Sequence, residues 1–356
     1  MNCLKQLFFC ILAVFCLKNC FCCEVAPERI EISLASRFEK VKTGSVLTRF
    51  LDMPFLEEEE TKKIIVPPVC LCEPGTRVKI NVYSMLYHKH SVDESLDFTR
   101  QIVSIINLEL PELEIEIDLS KVDLSNIEDD FFSGFRNVTE LDISGCSLTH
   151  IPESLYGLTE LICFYAQNNN LFELSDQIEN LKDLRTLDLS NNNFETFPVG
   201  ICELESLASL FLTNNRLLSV PNEISKLNVL GLLLLSYNEF EEFPNAVCSL
   251  GELYGLSLRN NKISSIPPEI QRLEKLEDLC LVENCLTEIP MFVLKLKSLK
   301  SLYVWGNRVE FSARFSVYSY SEIFPTTYRG DSYVAVSTAN SIISWVLFNK
   351  TIGRFS

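Results

Sequence analysis

Histidine is scarce in this 356-residue chain: His88, His90 and His150 are the whole supply. Few groups are therefore available to exchange a proton near neutral pH. There is no G-x-S-x-G turn to expose an activated serine and no G-x-x-x-x-G-K loop to cradle a phosphate. His150 stands where later copies of an internal repeat carry Glu173, Thr196, Ser219 and Glu242, so it reads as solvated surface. One set of metal ligands can be assembled, Cys70-x-Cys72 with His88-x-His90, because residues two apart share a face of a strand. The spacing is not that of a standard zinc site, and a zinc-stabilised leader is kept only as an alternative. No catalytic residue, metal or cofactor is expected. Positive charge is also short. Lys and Arg number 31 against 48 Asp and Glu, a net charge of −17, which disfavours nucleic acid and anionic lipid as partners because both are polyanions. Long apolar runs are missing too. Leu7–Leu17 covers 11 residues, and a helical span needs about 20. Val334–Phe348 is interrupted by Ser337, Thr338, Asn340 and Ser341 and runs into a charged tail, so it fits neither a span nor a lipid-anchor signal.

What the N-terminus does contain is a secretory pattern: Lys5, then Leu7–Leu17, then small residues Cys20 and Cys22 ahead of Cys23. Residues 1–22 are read as a cleaved signal peptide, which places the chain outside the cell or at its surface. Removing Cys3, Cys10, Cys16, Cys20 and Cys22 leaves nine of the 14 cysteines. Secretion permits disulfides, but Cys202 and Cys248 share one repeat slot two copies apart. Strands stacked ~4.8 Å apart would separate them by roughly 10 Å, beyond the about 7 Å a disulfide tolerates. Both read as small buried apolar residues. Cys70 and Cys72 are the better disulfide members, with partners open.

The dominant feature is a 23-residue unit whose copies begin at Val138, Leu161, Leu184, Leu207, Leu230, Leu253, Leu276 and Leu299. Most run L-x-x-L-x-L-x-x-N-x-L-x-x-I-P, then I-x-x-L; the third holds Leu184, Leu187, Leu189, Asn192, Phe194, Phe197, Pro198, Ile201 and Leu204. A fixed period of this size predicts a solenoid. The alternating leucines predict a short strand per copy, stacked into a parallel sheet. Asn169, Asn192, Asn215, Asn238, Asn261, Asn284 and Asn307 recur where each strand ends. An inward asparagine there donates to one backbone carbonyl and accepts from a neighbouring amide, satisfying groups the turn would orphan. Cys146 takes this slot in the first copy. Pro152, Pro198, Pro221, Pro244, Pro267 and Pro290 pre-set φ on the opposite side, and apolar residues at 155, 178, 201, 224, 247, 270 and 293 dock a short helical turn onto the sheet.

These residues and spacings resemble the leucine-rich repeat family over about 117–310, and the I-P form is most similar to the Ras-associated scaffolds and their plant relatives. The resemblance implies an α/β fold: a leucine-rich repeat solenoid with its parallel sheet on the concave face, short helical or irregular turns on the convex face, and atypical caps at both ends. It also implies a protein-binding role rather than an enzymatic one. The expected organisation is a signal peptide over 1–22, an N-terminal leader and cap over 23–112, the solenoid over 113–310 and a C-terminal cap over 311–356. The leader favours secretion and the repeat subtype an intracellular scaffold of small-GTPase signalling; the first is taken as the main reading and a cytoplasmic location as its alternative. In the leader, Val66–Cys72 and Arg77–Tyr83 around Pro74-Gly75 predict a hairpin. Ser91 and Glu94 make a capping box for a helix near 92–107. Its face of Leu96, Val103 and Ile106 suits closure of the solenoid's first end. The irregular first unit reaches Leu141 from Ile117 in 24 residues, one too many.

In such a fold the exposed strand residues meet the partner. Outward aromatic and leucine side chains at Tyr165, Phe211, Leu234, Tyr254, Tyr303 and Trp305 are the candidate contacts. The sheet would extend roughly 34 Å, enough to contribute ~800 Å² to a standard interface. Acid crowds the first end, while Lys295, Lys297, Lys300, Arg308 and Arg314 gather at the other. Asn137-Val138-Thr139 and Asn349-Lys350-Thr351 are glycosylation sequons, with Asn137 expected on the surface. The chemistry of the partner and the oligomeric state are not readable from the sequence.

Overall fold

The computed structural model describes residues 29–32, 77–82, 92–109, 113–308, 326–328, 331–338, 341–349 and 354–355. They fall into two compact units. The first comprises the described residues up to Leu148 with Pro152–Tyr165; the second comprises Thr149–Ile151 with those from Ala166 onward.

In the first unit, β1 (Arg29–Ile32), β2 (Arg77–Asn81), β3 (Glu114–Asp118), β4 (Val138–Asp142) and β5 (Cys163–Tyr165) lie in chain order, and every pair is parallel. The leader therefore departs from the expected hairpin. Both edges of β2 are taken, by β1 and β3, so no antiparallel partner can pair there; Val66–Cys72 lies outside the described residues. Parallel neighbours need a crossover, and the helix α1 (Val92–Glu109) supplies it between β2 and β3. Ile102, Val103 and Ile106 are buried. Arg100 donates to the Phe131 carbonyl at 3.4 Å and to Glu128 and Asp130 at 3.2 Å each, with its guanidinium 4.8 Å from the Phe131 ring centre. The helix thus packs beside 128–131 as a crossover and does not close the end of the sheet, which β1 and β2 extend instead. The Ser91 end of the capping box lies outside the described residues. Phe131, Phe132 and Phe135 interlock edge to face at 4.9–5.7 Å. The surplus residue of the irregular unit is absorbed as a bulge: Ile115 pairs with Val138, but Glu116 pairs with Glu140. Thr139 is the extra residue. It is buried, and its hydroxyl finds no hydrogen-bond partner, the local cost of keeping the leucines inward.

The second unit stacks six three-residue strands: β6 (Thr186–Asp188), β7 (Ser209–Phe211), β8 (Leu232–Leu234), β9 (Gly255–Ser257), β10 (Asp278–Cys280) and β11 (Ser301–Tyr303), all parallel. Adjacent strands pair residues 23 apart, so Leu187, Leu210, Leu233, Leu256, Leu279 and Leu302 form one buried row. The returning segment is a 3-10 turn of five residues or fewer. A tight i to i+3 helix suits so short a path. Pro198, Pro221, Pro244 and Pro267 precede these turns at φ between −68° and −78°, and their carbonyls accept the first turn amides at 2.9–3.2 Å. Ile178, Ile201, Ile224, Val247, Ile270 and Val293 dock each turn with no exposure.

Cys202 and Cys248 are buried free thiols. Burial pushes them up from the usual 9.0 to about 12 and about 11. Native chain should leave both unmodified by a thiol reagent at pH 8, with labelling only after denaturation. Their raised values also fix a sign. The stability they confer is whole below pH 9, where the unfolded thiols stay protonated, and is lost as pH rises toward 11–12. Replacing both by alanine should flatten the alkaline end of the thermal-stability profile.

Beyond the repeats, β12 (Thr326–Tyr328), β13 (Asp331–Thr338), β14 (Ser341–Asn349) and β15 (Arg354–Phe355) form an antiparallel sheet. β14 lies against β11. The apolar run Val334–Phe348 is thus divided between two paired strands. Among the described residues, no helix is long and apolar enough to cross a membrane.

Candidate protein-binding face

The strand ends are held by asparagine. Asn238 donates to its own strand at Leu235 O (3.1 Å) and to the preceding one at Leu212 O (2.9 Å), while its carbonyl accepts the Leu217 amide at 2.9 Å. Asn192, Asn215, Asn261, Asn284 and Asn307 repeat this pattern. Asn169 donates to Ala166 O at 3.0 Å. In the first unit, Cys146 donates its S–H to Leu119 O at 3.1 Å, and its backbone carbonyl accepts the Leu124 amide at 3.0 Å. The acceptor role is thus met by the main chain, and a donor-only side chain suffices. The residue before each asparagine is left-handed: Asn168, Asn191, Asn214, Tyr237, Asn260 and Glu283 have φ of +53° to +60°, and Gly306 +77°. Asparagine and glycine tolerate this region; tyrosine and glutamate do so at a cost of about 1–2 kcal/mol.

Fixed strand ends hold the outward side chains at defined places. Two rows run across the second unit. One is Asp188, Phe211, Leu234, Ser257, Cys280 and Tyr303; the other is Thr186, Ser209, Leu232, Gly255, Asp278 and Ser301. Phe211 and Leu234 are register partners and half-buried. Leu232, on the same face two residues before Leu234, joins them and escaped the sequence reading. Tyr254 is 47% exposed at the foot of β9. Its ring lies over Gly231, where a Cβ would stand 2.4 Å from Cε1. Leu232 likewise covers Gly255, where a Cβ would stand 2.7 Å from Cδ1. Two missing side chains therefore let a ring and a leucine lie flat, and Phe211, Leu232, Leu234 and Tyr254 make one apolar floor.

The other candidates are Tyr165, Tyr303 and Trp305. Tyr165 belongs to the first unit, where desolvation first, then the neighbouring Cys163, Glu140 and Asp142, pushes its phenol up to about 12. Tyr303 stands three strands beyond Leu234 and is 39% exposed. Trp305 is half-buried, with its ring 5.1 Å from the Arg259 guanidinium. Arg259 also lies 5.6 Å from the Tyr237 ring and reaches Glu283 at 3.2 Å. The two strained left-handed residues, Tyr237 and Glu283, thus flank one arginine. The signal in the sequence is that tyrosine and glutamate stand at the position before the ladder residue, where Asn168, Asn191, Asn214 and Asn260 stand in other copies.

Charge is more evenly neutralised than the sequence suggested. Lys297 and Lys300, read as part of a basic end, pair with Glu274 and Glu277 at 3.7 and 2.6 Å. In the first unit Lys79 takes Asp118 at 3.1 Å, and Arg100 takes Glu128 and Asp130. Lys226–Glu203 and Lys262–Glu239 likewise join adjacent copies. The exposed pairs that join adjacent copies contribute ~0–1 kcal/mol each. Arg314 lies outside the described residues, as do Cys70, Cys72, His88 and His90. Among the described residues no group of three or more His, Cys, Asp or Glu is arranged to hold a metal ion. Asn137 is half-buried rather than fully exposed, because it turns at φ +56° with its carbonyl accepting the Ile115 amide at 2.7 Å.

A leucine-rich repeat family model matches residues 115–171 and 165–217, and a second matches 252–273. These segments are similar to leucine-rich repeats. Solved structures with similar folds include a leucine-rich repeat protein of Leptospira interrogans, 30% identical over 57% of this chain and 57% of that one, with a TM-score of 0.48. The leucine-rich repeat ectodomain of an Arabidopsis thaliana membrane receptor kinase, solved with a bound integrity factor, is 28% identical over 55% of this chain and 24% of its own, with a TM-score of 0.48. An internalin C2 of Listeria monocytogenes is 21% identical over 54% and 80%, with a TM-score of 0.45. The chain thus spans 57% and 24% of the first two. No curated protein matches it in sequence. Leucine-rich repeats are typically protein-interaction scaffolds, and here the open sheet face carries the candidate contacts.

Proposed function

We propose that this leucine-rich repeat protein is non-enzymatic, acts outside the cell or at its surface, and binds a protein partner on the open sheet face of its second unit. The observation that carries the reading is the apolar floor of Phe211, Leu232, Leu234 and Tyr254, held on strands whose ends are pinned by buried asparagines. Rigid strands that leave aromatic and leucine side chains partly open to solvent suit a contact patch. Tyr303 and Trp305 are secondary contacts in this reading, and Tyr165 is a separate candidate on the first unit. Affinity capture from the native source, with wild type and Phe211→Asp compared, tests the face; equal capture by both excludes it.

The compartment has its own test. A chain that passes through a secretory pathway begins at Cys23 and loses mass on treatment with a peptide N-glycosidase. Asn137→Gln and Asn349→Gln together abolish that loss. An intact Met1 terminus with no glycan supports the second reading, an intracellular scaffold of small-GTPase signalling, which the I-P form of the repeats favours.

A further inference from the structure

The floor has a charged frame that narrows what it can accept, and the argument here rests on the binding reading just given. Asp188 stands in register beside Phe211, one strand before it. Asp278 stands in register beside Gly255, one strand beyond the gap that Leu232 covers. At ~4.8 Å between strands, a carboxylate lies roughly 5–10 Å to either side of the apolar centre. Asp278 is exposed and makes no ion pair among the described residues. One oxygen of Asp188 accepts the Ser190 amide at 2.9 Å. The cations nearest in the rows are already engaged, Arg259 by Glu283 at 3.2 Å and Lys300 by Glu277 at 2.6 Å; Arg185, at the foot of β6, is the exception. The field of the whole chain, net −17, has the same sign as the frame. Like charges would be repelled during approach and opposite ones drawn in.

We infer that the face takes a partner segment that places one large apolar side chain on the floor of Phe211, Leu232, Leu234 and Tyr254, with lysine or arginine on both sides of it, facing Asp188 and Asp278. The apolar contact supplies the anchor, and the two carboxylates select against acidic neighbours. Gly231 belongs to the device without touching the partner. A Cβ there displaces the Tyr254 ring, the movable end of a side chain, and breaks the floor while leaving the strands in place.

The test uses the full chain and two labelled synthetic peptides of equal length, each with a central phenylalanine, one flanked by lysines and one by glutamates, read by fluorescence anisotropy. The lysine-flanked peptide is expected to bind at least tenfold more tightly. Its affinity is expected to fall severalfold on Asp278→Asn, to fall with added salt, and to fall about tenfold on Gly231→Ala with the thermal midpoint held. Equal or better binding of the glutamate-flanked peptide, or no binding of the lysine-flanked one, overturns the inference. If the glutamate-flanked peptide binds equally well or better and Phe211→Asp abolishes that binding, the binding face survives and only its charge preference is wrong. If the lysine-flanked peptide binds Phe211→Asp as well as wild type, the face itself is wrong.

Discussion

Asn238→Ala is expected to lower the thermal midpoint by on the order of 10 °C, read by circular dichroism or calorimetry. The substitution leaves the carbonyls of Leu212 and Leu235 and the amide of Leu217 without their buried partner. An unsatisfied buried group costs about 1–3 kcal/mol, so the three together amount to several. In a unit of about 150–250 residues each kcal/mol moves the midpoint by roughly 2–4 °C. The loss is large because the groups belong to two successive copies, so one side chain ties its own strand end to the turn of the preceding copy. Asn228→Ala is the control. Asn228 is exposed, and its replacement should move the midpoint by less than about 2 °C.

Phe211→Asp is expected to weaken capture of the partner by on the order of 30- to 1,000-fold, as for the anchor of an interface worth ~2–4 kcal/mol. The fold should survive it. Phe211 is half-buried, and its register partner Asp188 already places a carboxylate on the same face. Leu210→Asp, one residue earlier, makes the contrast. Leu210 has no exposure and sits between Leu187 and Leu233 in the buried row. A carboxylate there would lose its water without gaining a partner, at a cost of several kcal/mol, so that variant is expected to unfold. A Phe211→Asp chain that keeps its midpoint but loses its partner, beside a Leu210→Asp chain that loses both, assigns the two sides of one strand.

Much of the second unit was legible beforehand because its period names its own neighbours. A residue 23 positions away is the next strand's register partner, so the leucine row, the docking isoleucines and the asparagines followed from spacing. The leader had no period to exploit. Arg77–Asn81 pairs with Arg29–Ile32 and Glu114–Asp118, partners far off in sequence, and a proline-glycine pair misled toward a local hairpin. The Val92–Glu109 helix was placed within two residues at its end, but its role as a crossover depended on those distant pairings. The floor was half legible. Phe211, Leu234 and Tyr254 stood out as apolar residues at outward positions. Leu232 did not, since a run of four leucines hides which of them face solvent.

By itself the sequence determined the repeat length, the strand in each copy, which leucines turn inward and where asparagine must close the turn. Those follow from backbone geometry and from the need to satisfy buried polar groups, both local to one copy and repeated. Only the tertiary structure decided which outward side chains meet. That Tyr254 lies over Gly231, Leu232 over Gly255, and Arg259 between Tyr237 and Trp305 depends on rotamers and gaps in the adjoining copies, and an outward side chain has no core to dictate its direction.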